Sequence, residues 1–184
     1  MTRPVNPAAA MGLALACWPG AAPAQTHQPY AGLNARPVKA LSEQQTADLR
    51  AGRGMGLALP AELNGYPGPL HVLEYAAALG LSREQRSRTE ALIAAMKTEA
   101  VPLGERLIAE EAALDGQFRD RTATSGSLGA ATEAIGATQA VLRAAHLRYH
   151  LLMLDVLTPD QVRRYGELRG YAGAAGSSHQ GVHR

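Results

Sequence analysis

One short phrase occurs twice in this chain, and each copy marks the start of a helix. It reads Leu-Ser-Arg-Glu-Gln at residues 81–85 and Leu-Thr-Pro-Asp-Gln at residues 157–161. The serine or threonine can cap the free backbone N–H groups, and the glutamine three residues later can reach back to the cap, which is a capping box. Pro159 occupies the first helical position, where proline is favoured. Two such starts, with long apolar-periodic segments between them, predict an all-α chain built on an antiparallel helical hairpin.

The two long helices of this hairpin follow from their apolar stripes. The first is predicted from Arg83 to about Arg121, and the second follows a turn at residues 122–127. Apolar or small residues recur at steps of three and four in both segments, as one face of a helix requires. The stripe of the second helix is Leu128, Ala131, Ile135, Thr138, Leu142, Ala145, Tyr149, Leu152 and Val156. Matching stripes of this kind predict that the two helices pack against each other.

Short helices flank the hairpin within a domain predicted at residues 42–171. One begins after Ser42, with Gln45 closing its capping box, and is expected to run toward Leu59. A second is predicted at residues 70–79, after a turn rich in proline and glycine at residues 64–69. A last one covers residues 159–168. Residues 52–56 read Gly-Arg-Gly-Met-Gly, but no strand precedes them, so close packing or a bend is the better interpretation than a dinucleotide loop.

The N-terminus resembles a secretory signal peptide. Residues 1–24 combine one basic residue, Arg3, with an apolar stretch and a small-x-small sequence that ends at Ala24. We therefore expect cleavage after Ala24 and a periplasmic mature protein; a lipoprotein anchored through Cys17 is the lesser alternative. Residues 25–41 are predicted to form an extended arm, and residues 172–184, rich in glycine, serine and histidine, a disordered tail.

Cleavage would change the chemistry that is available. The only cysteine, Cys17, would be lost, so disulfides and thiolate chemistry would be excluded. The formal charge of +2 would fall by one, because Arg3 is the only charged residue removed. A nearly balanced charge gives no footprint for nucleic acid, and no other apolar run is long enough to span a membrane. No nucleophile elbow, zinc-protease motif or phosphate loop is present, so we predict a protein that is not an enzyme and requires no cofactor.

One cluster has the spacing of a metal site. His146, His150 and Met153 fall on one face of the second long helix, where two imidazoles could bind zinc, nickel, cobalt or copper. If the hairpin turns near Ser125, the nearest carboxylates on the partner helix are Glu99 and Glu105. The alternative interpretation of the same spacing is a pair of half-buried histidines that cap the seam or face solvent.

Four further histidines are weaker candidates for metal ligands. His71 and Glu74 share a face of the second short helix and are expected near Glu90, some distance from His150. His27, His179 and His183 lie in the tails and could bind metal only weakly.

The two phrases resemble the Leu-Thr-x-x-Gln motif of the Spy/CpxP group of periplasmic proteins. The match is full at residues 157–161 and has serine in place of threonine at residues 81–85. The resemblance implies a helical homodimer that acts as an ATP-independent chaperone of unfolded periplasmic clients, or as an adaptor of a membrane stress-sensing protein. Relatives in this group that sense or resist heavy metals imply the alternative function, with His146 and His150 as ligands. This chain has no His-x-x-x-His before Leu81, unlike those sensors.

Weak client binding needs apolar contact together with charge. Arginines scattered along both long helices are the predicted charged part of a client surface, although ordinary solvated faces would have the same composition. These residues are Arg83, Arg86, Arg88, Arg106, Arg143 and Arg148.

Overall fold

The computed structural model describes residues 30–171. From residue 32 onward they form one helical unit. The predicted signal peptide with Cys17, the tail at residues 172–184, and His27, His179 and His183 lie outside the described residues. Within the described range the chain forms helices and turns, with no strand. The helices are α1 (Glu43–Arg50), α2 (Leu59–Glu62), α3 (Pro69–Glu74), α4 (Arg83–Arg119), α5 (Ser125–Met153) and α6 (Pro159–Leu168).

The hairpin of α4 and α5 is the centre of the fold, and the prediction of an all-α helical hairpin is confirmed. The register is fixed by polar pairs across it: Tyr149 OH donates to Glu99 at 2.6 Å, and Thr138 Oγ1 donates to Glu110 at 3.0 Å. This register is within two residues of the one predicted from a turn near Ser125. Thr138, the one polar member of the α5 stripe, is buried and satisfied by this bond.

Capping boxes begin four of the helices. Those of α1, α4 and α6 are the predicted ones, at Ser42, Ser82 and Thr158, and all three are confirmed. A fourth starts α5 at Thr124, whose hydroxyl accepts from Ser127 N at 3.1 Å while Ser127 reciprocates. Serine rather than glutamine closes this box, so a search for the usual pattern does not find it.

Two short helices end earlier than the sequence predicts. The expected helix from Ser42 toward Leu59 stops at Arg50, because Gly52 adopts a left-handed φ of 64°, the conformation that terminates helices. The helix predicted at residues 70–79 is α-helical only to Glu74. Beyond it the chain continues in turns that include hydrogen bonds spanning three residues, as in a 3-10 helix, such as Ala76 N to Leu73 O at 3.1 Å. Gly80, at φ 62°, ends the segment.

The first described residues are not a continuously extended arm. Leu33–Ala35 form a 3-10 helix, and Val38 then buries its side chain against the hairpin. Lys39 Nζ lies 3.3 Å from Asp115 on α4. Val38 and Lys39 therefore attach this segment to the hairpin, while most of the residues before them are exposed.

Two apolar clusters hold the helices together. The base cluster joins α3, α5 and α6 through buried residues that include Val72, Met153 and Tyr165. The central cluster joins α1, α4 and α5 through Leu49, Leu107 and Leu142, among others. Along α5 the two clusters are separated by the stretch that carries His146 and His150. His146 and His150 therefore lie on α5 between the two apolar clusters.

α1 approaches α4 unusually closely at one glycine. A Cβ atom placed on Gly104 would lie 2.5 Å from the backbone oxygen of Leu49. Only a residue without a side chain allows the two backbones this separation.

Candidate functional site

The two histidines of α5 lie one turn apart and are both buried, with His146 3% and His150 9% exposed. They line a pocket of about 550 Å³. The glycine loop, residues 52–56, forms one wall of this pocket, and Met96 and Lys97 of α4 contribute another. The glycine-rich segment therefore forms a pocket wall, a position that its sequence alone did not indicate.

His150 is held in one tautomer by a backbone carbonyl. Its Nδ1 lies 2.7 Å from Tyr66 O, and because a carbonyl only accepts hydrogen bonds, Nδ1 must carry the proton. In the neutral ring Nε2 then has a free lone pair. A Cβ atom on Gly68 would lie 2.9 Å from His150 Cε1, so the absence of a side chain at Gly68 makes room for the ring.

His146 has unused hydrogen-bonding capacity. Its Nε2 is buried and has no partner among the described residues. Burial, and secondarily the neighbouring His150, lower the pKa of His146 below that of an ordinary histidine. The ring is therefore neutral at pH 7.

A buried carboxylate, Glu62, organises the floor of the pocket. It is 5% exposed and accepts from Tyr165 OH, from Tyr171 OH at 3.2 Å and from Gly68 N at 3.1 Å. Arg169 lies 3.4 Å from the same carboxylate and supplies the balancing charge. His150 Nδ1 lies 3.7 Å away. Burial and the hydrogen bond to Glu62 raise the pKa of Tyr165, which therefore remains a donor.

Sequence reasoning missed Glu62. Its partners are distant in the chain, and Tyr165 follows it by 103 residues. The only local signal is an acidic residue immediately before the turn at residues 64–69, and such residues are usually exposed.

The structure separates the other predicted ligands from the two histidines. Met153 is fully buried in the base cluster and does not line the pocket. Glu99 accepts from Tyr149 and pairs with Arg148 at 2.8 Å. Glu105 pairs instead with Arg50 at 3.2 Å. A register error of two residues and the unforeseen docking of α1 account for these differences.

His71 lies closer to the site than the sequence predicted. It lines the same pocket as His146 and His150, and its Nδ1 lies 2.9 Å from Glu74. Nevertheless, within residues 30–171 no three side chains of histidine, cysteine, aspartate or glutamate are arranged to hold a metal ion. The two buried histidines supply two donors, fewer than the four of a structural zinc site.

The six predicted client-binding arginines fall into two groups. Arg106 and Arg148 are engaged with Glu110 and Glu99, each at 2.8 Å. The others are exposed and form no ion pair within the described part of the chain; they are Arg83, Arg86, Arg88 and Arg143.

An apolar surface accompanies two of these arginines. Over residues 140–154, the side facing away from the buried stripe is made of alanine, valine and leucine, interrupted by two arginines; Glu133 lies on the same side about two turns earlier. Leu151 is 57%, Val141 54% and Leu154 39% exposed. This surface, called the outer face of α5 although Leu154 follows the last residue of the helix, consists of Ala140, Val141, Arg143, Ala144, the half-buried Leu147, Arg148, Leu151 and Leu154.

Comparisons with known proteins identify no relative: no protein-family model, curated protein or solved structure matches the chain. Among residues 30–171, no helix combines the length and apolar character needed to cross a bilayer.

Proposed function

We propose that this chain is an exported, ATP-independent chaperone or envelope-stress adaptor of the Spy/CpxP type. The observation that supports the proposal is the outer face of α5. Its exposed apolar residues lie close together on one side of the helix, interrupted by Arg143 and Arg148. Such a grouping suggests a surface that another molecule covers, because scattered single apolar residues are normal but contiguous patches are not.

The composition of this face suits weak and varied clients. Val141, Leu151 and Leu154 offer contact to the apolar segments that an unfolded protein exposes. Arg143 adds an unpaired positive charge, whereas Arg148 is paired with Glu99, and α5 has only one acidic residue, Glu133. Electrostatic attraction would accelerate the capture of acidic or mixed segments before they aggregate.

An aggregation assay tests this proposal. The purified protein, without ATP, should slow the aggregation of several unrelated unfolding clients at near-stoichiometric ratios. Leu151→Glu should weaken this protection several-fold, because a charge would enter the centre of the apolar face. Leu63→Glu is the matched control, since Leu63 is 56% exposed but lies on another surface. Equal protection by both variants and the wild type would remove the outer face of α5 from the function.

The same face could serve a second copy of this chain, as the implied homodimer requires. Sedimentation velocity should then show a dimer that Leu151→Glu dissociates and Leu63→Glu does not. A monomer at all concentrations, with Leu151-dependent protection intact, would assign the face to clients alone.

Export is part of the proposal and has its own test. Mass spectrometry of the periplasmic protein should find a mature N-terminus at Gln25. An uncleaved or cytoplasmic chain would refute it.

Metal binding is a second candidate function. The supporting observation is His150, whose Nδ1–H donates to a backbone carbonyl; this is the arrangement that commonly orients a metal-ligating histidine through Nε2. Titration calorimetry with zinc, nickel, cobalt and copper should show binding that the double substitution His146→Ala and His150→Ala abolishes, while His71→Ala keeps it. Affinity should fall at acidic pH, because protons compete for the imidazoles. Undiminished binding by the double variant would identify both histidines as packing residues.

A further inference from the structure

The pocket beside the glycine loop has the size of a small-molecule site. Its volume of about 550 Å³ lies within the range of roughly 300–1,000 Å³ that is typical for such sites. We propose that it binds a small amphipathic anion, a carboxylate that carries an unbranched apolar chain. This inference is independent of the chaperone proposal, which concerns a different surface.

The walls of the pocket would receive the apolar chain. Leu59, Leu70, Ile93 and Met96 contribute their side chains to the lining, and Met55 lies at the glycine loop. Each methylene that such a wall removes from water increases affinity by about fourfold. Chain length should therefore control binding.

The charges of the pocket favour an anion. Arg53 is neutralised by Asp48 at 2.6 Å, and Arg169 is paired with Glu62. Lys97 lines the pocket and forms no ion pair with the described residues. Its stem packs at the glycine loop, with Cγ 3.5 Å from the position of a Cβ on Gly52. The lining therefore has one uncompensated positive charge, which is the natural partner of a carboxylate.

His146 offers a second polar contact. Its Nε2 is closed off from solvent, so this contact falls to Nδ1, the ring nitrogen beside the glycine loop, which lies 3.5 Å from the position of a Cβ on Gly54. A neutral imidazole can donate to or accept from a ligand oxygen without repelling the positive charge of Lys97.

The glycine loop has backbone conformations that are typical of segments lying close to a bound ligand. Gly52 and Gly56 adopt φ of 64° and 84°, and Met55, which is not glycine, adopts 43°. Non-glycine residues with positive φ are uncommon and cluster at ligand sites. A Cβ on Gly54 would lie 3.5 Å from His146 Nδ1, so a large side chain there would occupy pocket space.

The test is a titration of the full chain with decanoate, below its micelle-forming concentration and in the presence of EDTA to exclude metal. The ring resonances of His146 and His150 should shift saturably. Acetate, which lacks the chain, and decyltrimethylammonium, which reverses the charge, should bind at least about tenfold more weakly. Equal binding of the cationic and anionic probes would overturn the proposal, because it would show apolar adsorption alone.

Two variants locate the site and two serve as controls. Lys97→Glu should weaken decanoate binding by about tenfold or more, and Gly54→Leu should block it by filling the pocket. Arg143→Glu changes an exposed, unpaired cation outside the pocket and should leave binding unchanged. Circular dichroism checks that each variant is folded. Leu151→Glu should also retain binding, which separates this site from the outer face of α5. If Lys97→Glu and Gly54→Leu bind decanoate as tightly as the wild type, the pocket is not the site.

Discussion

Glu62 shows how much one residue of this fold depends on its surroundings. A buried carboxylate is costly unless charge and hydrogen bonds compensate it, and here Arg169 and three donors do so. These partners come from α6 and the segment after it, and from the turn before α3. One side chain therefore ties together parts of the chain that are distant in sequence.

We predict that Glu62→Gln destabilises the protein by about 2–3 kcal/mol, because it leaves Arg169 without its counter-charge and presents an amide N–H₂ to hydroxyl donors. Urea unfolding measures this loss. Glu74→Gln is the control: its partner His71 is exposed, so the change should stay within about 0.5 kcal/mol. Similar losses in the two variants would contradict the role of Glu62.

His146 should make stability depend on pH. Because burial lowers its pKa in the folded state, the unfolded chain takes up this proton first, near pH 6.5. The contribution to stability is therefore complete above about pH 6.5 and is lost as the pH falls below that value. His146→Leu has no such proton, so its urea midpoint should fall less than that of the wild type between pH 6.5 and 5. Parallel pH profiles would show that His146 is not the responsible group.

At the scale of elements, the two copies of the capping phrase prove to be physically connected. Gln85 Nε2 donates to Gln161 Oε1 at 2.8 Å, and Gln161 Nε2 returns a bond to Gln85 at 3.1 Å. Each amide also reaches a backbone carbonyl, Val156 O from Gln85 and Leu79 O from Gln161. The starts of α4 and α6 are thereby joined, which explains glutamine at both positions: glutamate could close the capping box but could not donate.

We expect Gln161→Glu to cost about 2 kcal/mol at pH 7, because it removes two donated hydrogen bonds while leaving the capping box intact. Gln45→Glu is a matched control, since the box of α1 has no such amide partner in the structure and should lose less than about 0.5 kcal/mol. Thermal unfolding of both variants decides the matter. A loss of similar size at Gln45 would mean that capping alone sets the effect.

The close contact between α1 and α4 gives another test at this scale. Gly104→Ala should destabilise by about 1–3 kcal/mol, because its Cβ would meet the backbone of Leu49, which cannot move aside as a flexible side chain can. Gly136→Ala on α5 faces open space and should instead stabilise by about 0.5–1 kcal/mol, the usual gain in helix propensity. Chemical denaturation compares them. Stabilisation by both substitutions would show that α1 can move away from α4 at little cost in free energy.

For the molecule as a whole, local signals and periodicity predicted the frame but not the site. The capping phrases located the starts of α1, α4 and α6, and the stripes on α4 and α5 predicted their pairing. The sequence left His146 and His150 open as metal ligands or as half-buried or solvent-facing residues, and both are more deeply buried than that second alternative predicted. Their pocket could not be predicted, because it depends on Glu62 and the glycine loop, which meet α5 only through the tertiary fold. Periodicity reports which face is buried, not which side chains from other segments meet it.

The two ends of the hairpin differ in how they are supported. The base packs against α3 and α6 and the middle against α1, whereas no side chain between Ala109 and Ala134 is buried. Amide hydrogen exchange should therefore be graded along the molecule. Amides near Gly126 and Gly129 should exchange through fraying that needs little free energy, while those around Tyr149 and Met153 should exchange only in global unfolding. The tip would then open and reclose many times while the base stays folded. The fraction of time that the tip spends open, not the unfolding of the whole protein, would set how quickly proteases cut this end of the hairpin.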